Sequence, residues 1–251
     1  FKLFLKEVFM KNIKLTIEYD GTHYGGWQKQ NNNSTIQEEI QKAISKITNE
    51  DINLIGSSRT DAGVHARGMV ANFKTESKVP PEKFREAINT KLPDDIGIIK
   101  SEEVPLDFHA RYDSKGKTYC YTIINRLEKV AISKNYVYHV KDKLDIELMK
   151  KSCEHFVGKH DFKAFKTSGS SVKTSIRTIS DLHIETFNSE YGTKIMFYIT
   201  ADGFLYNMVR IIVGTVVDVG RGKIKESIIG DIIKSGARNK AGHCAPASGL
   251  T

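Results

Sequence analysis

Cysteine is scarce and unpatterned: Cys120, Cys153 and Cys244 are the three in 251 residues, and none stands in a C-x-x-C pair. An odd, widely spaced set signals neither a disulfide framework nor a zinc knuckle, and it suits a reducing cytoplasm. Proline is also sparse, at five residues, and no low-complexity run occurs, so collagen-like and disordered classes are excluded. Long apolar stretches are missing too. Runs such as Ile211 to Val213 and Val216 to Val217 fall far short of the roughly 18 residues that a membrane span needs. The first twelve residues, FKLFLKEVFMKN, hold a short apolar patch broken by Lys2, Lys6 and Glu7. With no small-residue cleavage site, this patch does not read as a signal peptide.

What is present is the composition of a folded protein, 39% hydrophobic and 27% charged, with a net charge of +8. The excess is uneven. Residues 1–115 carry 17 basic and 17 acidic side chains, whereas residues 116–251 carry 21 basic and 13 acidic. A basic half beside a neutral half suits a polyanion held mainly by one part of the molecule, with Lys163, Lys166 and Lys173 as phosphate candidates. A solubilising surface would look the same by charge alone.

Hydrophobic spacing predicts the elements. Ile13, Leu15, Ile17 and Tyr19 alternate with polar residues as in a half-buried strand. Ser34-Thr-Ile-Gln37 reads as a capping box ahead of a helix whose apolar face is Ile36, Ile40, Ala43, Ile44 and Ile47. Strand-like runs Asp51 to Ser57 and Met69 to Thr75 flank a loop from Ser58 to Gly68. A helix through Phe84 and Ile88 and a strand near Ile96 to Ile99 complete a βαββαβ order.

The second half reads as a strand from Thr118 to Asn125 and a helix from Ile146 to Val157 closed by Gly158. A hairpin of Ile179 to Thr186 with Lys194 to Thr200 follows, then an apolar helix over Phe204 to Val216, and a last helix from Glu226 to Lys234. The fold class is α+β: two RNA-recognition or ferredoxin-like units with antiparallel sheets, at residues 10–115 and 116–251, joined near Ser114 to Lys117. The aromatic RNP signature is absent, so ordinary single-strand stacking on the sheet is not supported.

The loop Gly56-Ser-Ser-Arg-Thr-Asp61-Ala-Gly-Val-His65-Ala-Arg67-Gly68 gathers an acid, two arginines and a histidine between strands. Loops held by strands are common places for catalytic groups. Asp61 could be a nucleophile or base kept ionised by a nearby arginine, or the acid of a structural turn with an Arg–Asp pair. His65 follows Asp61 by four residues, but no second His or Cys cluster completes a metal set. Tyr19-Asp20-Gly21-Thr22 is superficially like the loop of aspartate-nucleophile phosphatases, yet Glu18 stands where their nucleophile would be. Tyr119 and Tyr121 alternate on one strand face and suit either base stacking or the core. Arg210 is a charge inside an apolar helix and needs a partner if buried; Asp61 is a candidate.

In chain order these segments resemble the TruA family of tRNA pseudouridine synthases. The matching motifs are Glu18-Tyr-Asp-Gly-Thr22, Gly25-Gly-Trp27-Gln-Lys-Gln30, Arg59-Thr-Asp-Ala-Gly-Val-His65, Asp107-Phe-His-Ala-Arg111, Lys117-Thr-Tyr119-Cys-Tyr121, His160-Asp-Phe162 and Gly203 to Gly214. The resemblance implies one pseudouridine-synthase fold and isomerisation of uridine to pseudouridine at positions 38, 39 and 40 of the tRNA anticodon stem-loop. It makes Asp61 the catalytic aspartate, Tyr119 the ring stacked on the flipped uracil, and Arg210 the group that keeps Asp61 ionised. Arg59, His65 and Arg111 would lie near the RNA. It implies no metal or cofactor, no membrane, and a cytoplasmic homodimer with one tRNA across both subunits. The alternative is a catalytically silent tRNA-binding or chaperone module. Residues 1–9 read either as a leader or as the family's terminal strand displaced to the front, pairing beside Cys244 to Thr251.

Overall fold

Strict alternation puts Ile13, Leu15 and Ile17 on one face of strand β1 (Lys11–Tyr19), and all three are fully buried. In the computed structural model, residues 10–167, 169 and 174–251 are described; the readings of residues 1–9 and of Lys173 lie outside them. The chain divides into two units, one ending at Ser114 and the other beginning at Lys115.

The first unit follows β1 with α1 (Ile36–Thr48), β2 (Ile55–Gly56), β3 (Ala66–Thr75), α2 (Phe84–Asn89) and β4 (Ile96–Val104). Its antiparallel sheet has the order β2-β3-β1-β4, the arrangement of a ferredoxin-like βαββαβ unit. Ile36, Ile40, Ala43 and Ile44 of α1 and Phe84 and Ile88 of α2 cover the inner sheet face, packing on Met69, Ala71 and Phe73 of β3. Asn49, in the left-handed conformation, ends α1 by donating its N–H to the Ser45 carbonyl.

Two local expectations are corrected. The capping box is not formed: Thr35 is the N-cap and makes no side-chain cap bond. The first free amides of α1 are instead taken by main-chain carbonyls, Ile36 N–H by Gly26 and Gln37 N–H by Trp27. Gln37 reaches away from the cap, accepting from Gln28 and from the Lys29 amide and donating to the Leu54 carbonyl. The strand expected over Asp51 to Ser57 shrinks to two residues for a related reason. Gln41 and Gln37 side chains occupy the carbonyls of Ile52 and Leu54, so these buried residues take no part in the ladder.

The outer face of this sheet carries two buried amides, Asn12 and Asn72. Asn12 donates to the carbonyls of Pro105 and Phe108, Asn72 donates to Asn12, and the Ala110 amide donates to Asn72. The segment after β4 is thereby pinned across the sheet, and it presents exposed Arg111.

The second unit comprises β5 (Lys117–Asn125), β6 (Tyr138–Val140), α3 (Ile146–Glu154), β7 (Gly158–Asp161), β8 (Ile176–Ser189), β9 (Gly192–Ala201), α4 (Met208–Gly220) and α5 (Ile229–Ser235). Its sheet order is β6-β5-β9-β8-β7. One pair departs from the all-antiparallel expectation: β6 runs parallel to β5 at Ile123 to Asn125. Further along β5, Thr251 exchanges both main-chain hydrogen bonds with Cys120. Helix α4 starts later than its apolar pattern suggests, because Asn207 is left-handed (φ 61°) and separates Phe204 and Leu205 from the first turn. Helix α3 stops at Glu154 rather than Val157; turns closed by Phe156 N–H on the Cys153 carbonyl and Val157 N–H on the Glu154 carbonyl lead to Gly158 at φ 108°.

Replacing Asn72 by Ala leaves the buried Ala110 amide and the Asn12 side chain short of partners. This variant should lose about 1–3 kcal/mol of stability, read by urea denaturation; an unchanged midpoint would mean that the amide pair anchors nothing.

Candidate active site

Strand β1 ends in a turn, residues 20–27, that folds back onto the loop between β2 and β3. Tyr24 N–H closes the turn onto the Gly21 carbonyl, and the Tyr24 hydroxyl donates to Asp95 at 2.6 Å. Burial and then the Asp95 hydrogen bond raise the Tyr24 phenol well above its ordinary range, so it stays protonated as a donor. The facing loop is stitched to this turn through its main chain: Trp27 N–H donates to the Thr60 carbonyl at 3.0 Å and Gly63 N–H to Tyr24 at 3.4 Å. The Thr60 hydroxyl, buried, meets the Tyr19 hydroxyl at 2.8 Å.

Asp61 is the next residue after Thr60, half-buried and followed by a turn closed by Val64 N–H on the Asp61 carbonyl. Glycine is required on the facing side at two places. A Cβ on Gly21 would fall inside the Val64 carbonyl oxygen, and Gly26, at φ 102°, would place one 2.5 Å from the Thr60 carbonyl oxygen. The backbone on both sides of the carboxylate is therefore fixed by contacts that tolerate no side chain.

His65 sits at the far end of the loop and is 4% exposed. Its Nδ1 lies 3.0 Å from the Gly21 amide and 3.0 Å from an Asp20 carboxylate oxygen. One nitrogen cannot serve both at once: without a proton it accepts from Gly21, with one it donates to Asp20. Either bond ties the end of the loop to the turn. The ring is thus buried and anchors the loop. Arg59, by contrast, is exposed on the same loop.

Tyr119 and Arg210 belong to the second unit. Tyr119, half-buried on β5, packs edge-on against Phe204 with ring centroids 4.9 Å apart. Arg210 is the one residue of α4 that is not buried. Its Nε donates to the Ala245 carbonyl at 2.7 Å and its Nη1 to Asn207 at 2.7 Å. Asn207 in turn donates to the Thr167 hydroxyl. The sequence alone assigns no site role to Phe204, Asn207 or the glycines of the β1 turn. The glycines are visible as letters in Asp-Gly-Thr and Gly-Gly-Trp, but their closeness to Val64 and Thr60 is a tertiary fact. Among the described residues no group of three or more His, Cys, Asp or Glu is placed to hold a metal ion.

Gly21→Ala should cost about 1–3 kcal/mol, because the loop must move to admit the methyl. Gly68→Ala, with nothing within 4 Å of its added carbon, should stay within about 0.5 kcal/mol of the parent. Equal denaturation midpoints for the two would contradict the clamp.

Known proteins carry this arrangement of segments. A family model described as tRNA pseudouridine synthase matches residues 15–113 and 152–251. The chain is 61% identical over 241 residues to tRNA pseudouridine synthase A 2 of Clostridium perfringens (strain 13 / Type A), covering 96% of this chain and 97% of that one. It is 59% identical to tRNA pseudouridine synthase A of Clostridium botulinum (strain Alaska E43 / Type E3) and 54% identical to that of Acetivibrio thermocellus, each with the same coverage. A solved Cbf5-Nop10-Gar1 complex is similar over 81% of this chain and 53% of its own, at 16% identity and a TM-score of 0.32, too slight to carry an argument. A family match over most of both units, with relatives above half identity along nearly the whole chain, has one meaning: this chain belongs to the tRNA pseudouridine synthase family.

Proposed function

We propose that the enzyme converts uridine to pseudouridine at positions 38, 39 and 40 in the anticodon stem-loop of tRNA, with Asp61 as its catalytic carboxylate. The observation that carries this reading is the display of Asp61 on a loop clamped on both sides by main-chain contacts, in a chain of the synthase family. The reaction breaks the N1–C1′ bond, rotates the uracil, joins C5 to C1′, and moves the C5 proton away while N1 takes one up. Atoms and oxidation state balance, so the step calls for a carboxylate, a proton acceptor and a way to hold a loose base. Asp61 would either attack the sugar or remove a proton from it.

Tyr119 would stack on the extruded uracil and serve the later proton transfer. Its edge-on contact with Phe204 fixes the ring plane while leaving it half-buried, which suits a platform that offsets part of the few kcal/mol spent on unstacking. Arg210 would hold the Asp61 carboxylate ionised; its guanidinium is oriented beforehand by Ala245 and Asn207. Exposed Arg59 and Arg111 are available to phosphates, and the basic excess of residues 116–251 supplies the salt-dependent share of affinity. His65, buried at the end of the same loop, would lie near the RNA while holding the loop's shape. A homodimer working in the cytoplasm, with one tRNA across both subunits, belongs to the same proposal and rests on the family resemblance. The silent tRNA-binding module finds no support in a family defined by synthase activity.

Asp61→Asn keeps the size and accepting oxygen of the side chain but removes the anionic oxygen. On tRNA tritiated at uracil C5, tritium release should fall by roughly three orders of magnitude or more, with tRNA affinity within about twofold of the parent. Release at the parental rate would remove Asp61 from the chemistry.

A further inference from the structure

Residues 242–251 form a strap along α4 and onto β5, fastened along its length. The Gly242 amide donates to the buried Thr215 hydroxyl at 2.9 Å. His243 donates through its ring Nδ1 (2.9 Å) and its amide (3.3 Å) to one oxygen of Asp218. Ala245 N–H donates to the Arg210 carbonyl, while the Arg210 side chain donates back to the Ala245 carbonyl. Beyond them Tyr121 donates to the Pro246 carbonyl, Ser248 to the Val137 carbonyl, and Thr251 pairs with Cys120. The strap lies so close to α4 that a Cβ on Gly214 would fall inside the His243 carbonyl oxygen.

Asp218 is 9% exposed, and a buried carboxylate without partners is costly. Burial by itself would raise its pKa, but hydrogen bonds from the His243 ring and amide and from Arg221 hold it below the ordinary carboxylate range. Arg221 is in turn paired with Asp142 at 2.7 Å, and the Tyr138 hydroxyl meets His243 Nε2 at 3.2 Å. A charged, four-residue network is thus spent on fixing His243, two residues before the carbonyl that receives Arg210.

We propose that Asp218 and His243 are positioning residues for the reaction, clamping the strap to α4 so that the Ala245 carbonyl sets the direction of the Arg210 guanidinium. The proposal rests on the reading that Arg210 serves the chemistry. Neither residue touches substrate; both act through the strap, and the loss of either frees the Ala245 carbonyl to shift along the helix. Misplacement of a catalytic group by a fraction of an ångström slows chemistry without weakening binding.

The test is single-turnover tritium release by the full-length protein on C5-tritiated tRNA, beside tRNA binding and thermal unfolding. His243→Leu should slow turnover by roughly tenfold or more with tRNA affinity little changed. His243→Asn, whose amide nitrogen falls where Nδ1 lies, should restore most of that loss. Thr215→Val removes a different fastening of the same strap at constant size, and it should slow turnover in the same sense even if His243→Leu folds poorly. The decisive arm is the cycle with Arg210→Met: adding His243→Leu or Thr215→Val to Arg210→Met should slow the enzyme no further, because both act through the missing guanidinium. Losses that multiply, or parental turnover in both strap variants, would overturn the proposal while leaving Arg210 in place. Parental turnover in Arg210→Met itself would remove the reading of Arg210 and the proposal together.

Discussion

The Asp61 loop keeps its form because the turn after β1 approaches it backbone to backbone. Trp27 holds the Thr60 carbonyl, Tyr24 holds Gly63, and the carbonyls of Gly26 and Trp27 also receive the first free amides of α1. One short turn therefore closes the strand, starts the helix and braces the loop. Its own fixity comes from below, through Trp27 and Tyr19, both buried in the core that β1 and α1 build. A carboxylate expected to attack a sugar carbon or take a proton has to be aimed before substrate arrives, and aim of this kind is better provided by main chain than by flexible side chains.

The second unit solves an analogous problem with different parts. Helix α4 is buried on every side except at Arg210, so a guanidinium there must be both satisfied and directed. Carbonyl and side-chain oxygens of Ala245 and Asn207 do this, and the strap that supplies Ala245 also reaches β5 through Tyr121 and Cys120, the two residues that follow Tyr119 on the strand. In both units glycine permits the approach: Gly21 before Val64, Gly214 before His243.

Much of this was legible in the residues and some was not. The period-2 pattern of β1 and the single apolar face of α1 declare themselves, because a strand or helix with one buried face must repeat at its own period. The Asp61 loop stands out by composition, and the role proposed for it comes from the family resemblance. Illegible were the features decided by partners far along the chain. Gln37 and Gln41 capture the carbonyls of Ile52 and Leu54 and shorten β2; nothing in the local pattern of Asp51 to Ser57 announces this. His65 is enclosed by a turn 44 residues earlier, a burial that its place in the loop does not announce. Asp218 and His243, 25 residues apart, share no motif, and only the strap brings them together. The parallel β6 pairing follows a connection that periodicity does not describe.

Isomerisation of uridines in the anticodon stem-loop is the reaction proposed for this fold. The most direct measurement is to incubate the protein with unmodified tRNA transcripts bearing uridine at position 38, 39 or 40 and to map pseudouridine by carbodiimide modification and primer extension. New stops at those three positions and none elsewhere in the tRNA are expected. Stops confined to another part of the tRNA, or none at all with well-folded protein, would contradict the proposed reaction.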